Sequence, residues 1–212
     1  MDSLSETVCF DYTTLFDSLR NRQEQYFLDE LTQSLTHESF DINYQDHQGK
    51  TLLMAAAYEG CDQLVTFLLS NRARVDLEDK LGDTALHYSV LLADEAPGVL
   101  CINTLLKHGA DLHHVNHKNL TPLWTAVLGQ VEQDYQDSEA VFFLIQQGSR
   151  VEHQDQKGRT VIDILREYEK THLDTPLDSH DSLFTYVHAY VEKSGLEKST
   201  PHIQAPRKNM RL

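Results

Sequence analysis

Asp111-x-His113-His114-x-x-His117 is the densest run of metal-ligating side chains in the chain. Neutral imidazoles and a carboxylate are the donors that hold zinc and related divalent ions. A metal centre also needs those donors to converge on one point and to be oriented by further hydrogen bonds. The run leads into a turn at Asn116 to Asn119, so it reads as extended backbone, in which neighbouring side chains leave on opposite sides. Structural or exposed histidines are expected, with no metal bound. The 33 acidic residues offer general acids and bases, but no spacing draws a pair of them into a cleft. The sequence has no phosphate-cradling glycine loop, nucleophile elbow or paired-cysteine zinc motif. The expectation is a non-catalytic chain that uses no cofactor.

The elements that position these residues announce themselves by repetition. Asp46-x-x-Gly49-x-Thr51 returns as Asp79-x-x-Gly82-x-Thr84, then as Asn116-x-x-Asn119-x-Thr121, then as Asp155-x-x-Gly158-x-Thr160. The intervals are 33, 37 and 39 residues. A base period near 33 with added loop residues marks a solenoid of helical pairs. Each phrase precedes an apolar stretch, a break and a second apolar stretch. In the first unit these are Leu52, Leu53 and Ala55 to Ala57, then Leu64, Val65, Leu68 and Leu69. Spacings of three and four mark the buried face of a helix. Gly109 and Gly148 fall just past second helices, where a left-handed cap favours glycine.

This pattern resembles the ankyrin repeat, most fully at Thr121-Pro122-Leu123 and Thr84-Ala85-Leu86-His87. The resemblance implies an all-α solenoid of stacked helix-turn-helix units joined by β-hairpin-like loops, with degenerate N- and C-terminal caps. The expected division is a tail over 1–11, a repeat domain over 12–195 and a disordered basic tail over 196–212. Within the domain, an N-cap over 12–45 precedes full repeats at about 46–78, 79–115 and 116–154, and a C-cap covers 155–195. The cap helices are expected near 12–20 and 24–36, then from Val161 and from Leu183. His87 occupies a family position that hydrogen-bonds within the stack. Met54 and Trp124 replace it elsewhere, so only one of three units is expected to keep that donor. Arg72 stands where the family has glycine, which either costs about 1 kcal/mol or calls for another cap geometry. Cys61 and Cys101 are expected near second-helix starts as small packing residues.

The formal charge of −15 argues against a general nucleic-acid binder. No apolar stretch is long enough to span a membrane. Met1 to Asp11 shows no secretory signal, and three unpaired cysteines fit a reducing, cytoplasmic setting. The chain is expected to be a monomer when free.

In ankyrin repeats the hairpin tips and the exposed end of the first helix form the recognition face. Carried onto this sequence, the tips are His47, Gln48 and Lys50; Lys80, Leu81 and Asp83; His117, Lys118 and Leu120; and Gln156, Lys157 and Arg159. The first-helix positions are Tyr58 and Glu59, Leu91 and Leu92, and Leu128, with Tyr58, Leu91 and Leu128 expected in a row. Formal counting leaves the hairpins, aspartates included, with an excess of about one positive charge. Two insertions between paired helices, around Ala93 to Leu100 and Gly129 to Ser138, carry Asp94, Glu95, Glu132, Asp134 and Asp137. The expected function is protein recognition, as adaptor, scaffold or effector. The alternative is an inhibitor or immunity protein that caps a basic enzyme through acidic surface.

Overall fold

A computed structural model describes residues 24–37, 40–91, 96–133, 139–171 and 183–194. Among these, nine helices and no strands occur: α1 (Glu24–Ser34), α2 (Leu52–Tyr58), α3 (Asp62–Ser70), α4 (Ala85–Ser89), α5 (Ala96–Lys107), α6 (Pro122–Gln133), α7 (Glu139–Gln146), α8 (Val161–Thr171) and α9 (Leu183–Ser194). The expected tails, the helix near 12–20, Leu92 and the acidic residues Asp94, Glu95, Asp134 and Asp137 lie outside the described residues.

Helices pair as α2 with α3, α4 with α5, α6 with α7 and α8 with α9. First helices pack in sequence, α2 on α4, α4 on α6 and α6 on α8, while α3 packs on α5 and α5 on α7. The apolar spacing explains this stacking. Leu64, Val65, Leu68, Leu86, Ile102, Leu105, Leu123, Val141 and Leu144 are all fully buried in one continuous core. Phe142 of α7 meets Tyr186 of α9 edge to face at 4.5 Å, which ties the last pair to the stack.

The inserted residues are partly absorbed into helices. α5 begins at Ala96 and α6 runs on to Gln133, so much of each insertion lengthens a helix instead of widening a loop. Cys101 accordingly lies buried within α5 and not at its start, whereas Cys61 is the residue before α3.

All three middle second helices end alike. Ala73 donates to the Leu68 carbonyl, Ala110 to Leu105 and Ser149 to Leu144, each at 3.0 Å. The residue before each donor is left-handed: Gly109 at φ 91°, Gly148 at φ 95° and Arg72 at φ 69°. Arg72 therefore keeps the glycine geometry and carries its steric cost.

Each first helix starts on a threonine, and the residue three places on closes the cap differently in every unit. Met54 offers sulfur to the Thr51 N–H at 3.4 Å. In the second unit the Thr84 N–H donates to Nδ1 of His87 at 3.3 Å, while Nε2–H of His87 donates to the Leu120 carbonyl at 3.2 Å. Trp124 turns its indole N–H onto the carbonyl of His153 at 2.9 Å. Asp163 accepts from both the Thr160 N–H and hydroxyl at 2.8 Å. Of the three full repeats, His87 sends this side-chain bond into the next repeat, while Trp124 reaches the end of its own.

Burial lowers the His87 pKa, against the hydrogen bond to Leu120 and the carboxylates of Asp83 and Asp79, with His114 also opposing protonation. A second ring proton would face the Thr84 N–H. Because the unfolded chain binds this proton more readily, the stabilisation is complete above about pH 6.5 and declines as pH falls below it. Urea midpoints at pH 7.5 and 5.5 should drop less for His87→Gln than for the parent; equal losses would contradict a buried neutral imidazole. Arg72→Gly should stabilise the fold by about 0.5–1 kcal/mol in the same assay. Gly82→Ala should destabilise it by about 1–3 kcal/mol, since a methyl group at φ 77° would meet the His117 nitrogen at 2.9 Å.

Candidate hairpin recognition face

Every hairpin is closed by one side-chain oxygen. Oδ1 of Asp46 accepts from the N–H groups of Gln48 and Lys50 at 2.7 and 2.8 Å. Oδ1 of Asp79 accepts from Leu81 and Asp83 at 2.8 and 2.9 Å. Asn116 takes Lys118 and Leu120 at 2.9 and 3.0 Å, and Asp155 takes Lys157 and Arg159 at 2.8 and 2.9 Å. An acceptor two residues before the donor is the intrinsic preference of Asp and Asn in turns. Gly49, Gly82, Asn119 and Gly158 supply the positive φ that turns the chain back.

Neighbouring hairpins are then joined edge to edge. The Lys80 N–H donates to the Gln48 carbonyl and the His117 N–H to Leu81, both at 2.9 Å. Nδ1–H of His117 reaches the Lys80 carbonyl at 3.2 Å, and the amide of Asn116 reaches Oδ1 of Asp83 at 2.7 Å. After the longest interval, side chains replace the backbone ties. Gln156 donates to the His117 carbonyl, Asn119 to Gln154, and Nε2–H of His153 to Asn119, each at 2.9 Å. The result is a row of tips whose spacing is fixed by hydrogen bonds.

On this row the expected recognition residues separate into two groups. His47, Gln48, Lys80, Leu81, His117, Lys118, Gln156 and Lys157 are exposed. Leu81 is 51% exposed and Tyr58 39%. Leu120, by contrast, packs against the core, as does Leu128 of α6. Arg159 is held by Asp155, with Nε and Nη2 at 3.0 and 2.8 Å from Oδ2. That contact and the amides of Lys157 and Arg159 outweigh burial and keep the Asp155 carboxyl below the usual range. Leu91 lies beyond the last residue of α4, half-buried.

Tyr88 was not among the expected residues. Its hydroxyl donates to Oδ2 of Asp79 at 2.8 Å, its ring meets Tyr58 edge to face at 6.3 Å, and Nζ of Lys50 lies 5.0 Å from the ring centre. Burial, then the hydrogen bond and charge of Asp79, push the phenol well above the usual tyrosine range, so it stays a donor. The spacing of the repeat gave no signal for it, since Ala55 and Thr125 fill the same register. Lys50, Tyr58 and Tyr88 thus form one cluster, tied through Asp79 to the turn that carries Leu81.

The histidines of 113–117 go separate ways. The His113 N–H donates to Asp111, Nε2 of His114 lies 3.3 Å from Glu78, and His117 turns to Lys80. Among the described residues no group of three His, Cys, Asp or Glu side chains is placed to hold a metal. No helix of the described residues is long and apolar enough to cross a membrane.

Comparison with known proteins agrees with this geometry. Residues 23–115 match the family described as ankyrin repeats in three copies. An ankyrin repeat protein of Fowlpox virus (strain NVSL) is 35% identical over 97 residues, covering 44% of this chain and 27% of its own length. Human Rabankyrin-5 is 30% identical over 132 residues, covering 58% of this chain and 11% of its own. The phosphocholine transferase AnkX of Legionella pneumophila is 28% identical over 137 residues, covering 62% of this chain and 14% of its own. The chain thus spans about a quarter or less of the length of these relatives.

Tyr88→Phe removes a donor from a buried carboxylate and should cost about 1–2 kcal/mol in urea unfolding. A neutral result would mean that Asp79 is held by its backbone donors alone.

Proposed function

We propose that this chain, an ankyrin-repeat protein, binds a protein partner through its hairpin tips and the adjoining surface of its first helices. Ankyrin repeats are in general protein-interaction modules. The observation that carries the placement is Leu81, a leucine 51% exposed at the tip of a hydrogen-bonded turn. The other leucine of the hairpins, Leu120, stands two places later in its turn, beside the helix, and packs against the core. Asp79 accepts from both the Leu81 N–H and the Tyr88 hydroxyl, and the Leu81 carbonyl accepts the His117 N–H, so exposed Lys80 and Lys118 flank this pair of bonded residues in sequence. An apolar and aromatic centre with a polar rim is the arrangement that concentrates binding energy.

The mechanism is preorganisation. The tips are tied to one another through backbone and side-chain hydrogen bonds, so a partner has little backbone to order on contact. Catalysis has no part in this proposal.

The partner is first captured from the native source and purified, then titrated against variants. Lys80→Ala, Leu81→Ala and Lys118→Ala combined should weaken binding by about 2 kcal/mol, roughly thirtyfold in Kd. The thermal melt should barely move, because none of these side chains makes a core contact. Leu100→Ser on the second helix α5 serves as a control that should bind normally. Retained affinity in the triple variant, or loss in the control, would place the site away from the hairpins.

A further inference from the structure

We infer that the surface seated on the hairpin row is acidic: an extended protein segment with several Asp or Glu side chains around one apolar residue. This rests on the hairpin row being the binding face, as proposed above.

The chain carries 33 acidic and 18 basic residues, so a random sample of its surface is negative. The outermost two positions of the four hairpins break that rule. All eight are exposed, three are lysines (Lys80, Lys118 and Lys157), and none is a carboxylate; the rest are His, Gln and Leu81. No ion pair among the described residues holds any of the three lysines.

The carboxylates of the same hairpins are engaged with donors of the hairpins, half-buried Asp46 through the Gln48 and Lys50 N–H groups. Asp79 and Asp155 are buried, and each directs Oδ1 at two backbone N–H groups. Asp83 receives the Asn116 amide. Amide dipoles aimed at a carboxylate offset its outward field, while an ammonium on a flexible stem meets the partner directly. Formal counting, which leaves the hairpins near neutrality, therefore understates what a docking surface encounters. The remaining tip cations are engaged: Arg159 with Asp155, and Lys50 over the Tyr88 ring.

Geometry narrows the form of the partner. The lysines come one per hairpin on three successive hairpins, and hydrogen bonds fix the distance between tips. A row one residue wide suits a segment that runs along it, placing acidic side chains at the lysines and an apolar one at Leu81. A nucleic acid would meet the same row, but its phosphates would also face a molecule of net charge −15.

Display of random peptides of about 12 residues on phage, selected on the full chain, tests this. The enriched sequences should place Asp or Glu on both sides of Leu, Ile or Phe. A synthetic peptide of that sequence should bind Lys80→Glu, Lys118→Glu, Lys157→Glu combined at least about tenfold more weakly than the parent in low salt. The gap should shrink toward about 0.5 M salt as the charges are screened, and circular dichroism melts of the two proteins should coincide. Selected peptides without acidic enrichment that still fail to bind the Lys80, Leu81 and Lys118 alanine variant would overturn the acidic partner and keep the hairpin face. Peptides that bind every variant equally would overturn both. A single-stranded thymidine oligonucleotide that bound more tightly than the selected peptide would also overturn it, as would a selection returning no acidic sequence.

Discussion

One side-chain oxygen per repeat organises this molecule. Oδ1 of Asp46, Asp79, Asn116 and Asp155 each accepts two backbone N–H groups and so closes the turn that heads its repeat. An unpaired N–H left in such a turn costs desolvation that a single residue of this size can remove. With the turn fixed, the chain leaves it in a set direction and the first helix begins six residues on. The hairpins then stand close enough to bond to one another, and that contact limits what each can carry. A methyl group on Gly49 would meet Cα of Asp79 at 3.0 Å. Where Asn119 replaces glycine, its amide becomes the tie to Gln154.

The stack tolerates variety wherever only the hydrogen-bond count matters. The third residue of each first helix is Met54, His87, Trp124 or Asp163; three of them accept from the threonine that heads the helix, and the Trp124 indole bonds to the His153 carbonyl instead. His87 also reaches forward to the next unit and Trp124 to the end of its own, whereas Met54 and Asp163 act locally. Such units stabilise one another mainly through nearest neighbours. A weak joint, such as the left-handed Arg72, therefore has a local cost that adjacent interfaces absorb.

Binding and stability draw on the same hairpins without competing. The turn carboxylates accept backbone amides beneath the tips, which leaves lysines as the charged groups at the exposed tip positions. Tyr88 shows how the two layers connect. Its hydroxyl braces Asp79 while its ring receives Lys50 and Tyr58, so the surface cluster is positioned by the same aspartate that shapes the turn.

The period, the helix pairing, the glycine turns and the exposed tips of four hairpins were legible in the sequence, because each depends on residues within one repeat. A threonine heads a helix, and an aspartate two residues before an amide closes a turn, whatever lies around them. Other features needed neighbours in space. Leu81 and Leu120 both belong to hairpins, at the third and fifth places of the phrase, and one is exposed while the other packs inward. Tyr88 joins the site through a lysine from the preceding hairpin. The indole of Trp124 finds a partner only because the His153 carbonyl, at the far end of the same repeat, lies in reach. Which charges face solvent was likewise decided by packing, since a carboxylate that accepts amides and one that meets water read as the same letter. Local hydrogen-bond rules are written residue by residue, whereas burial and charge display are properties of pairs brought together from different repeats.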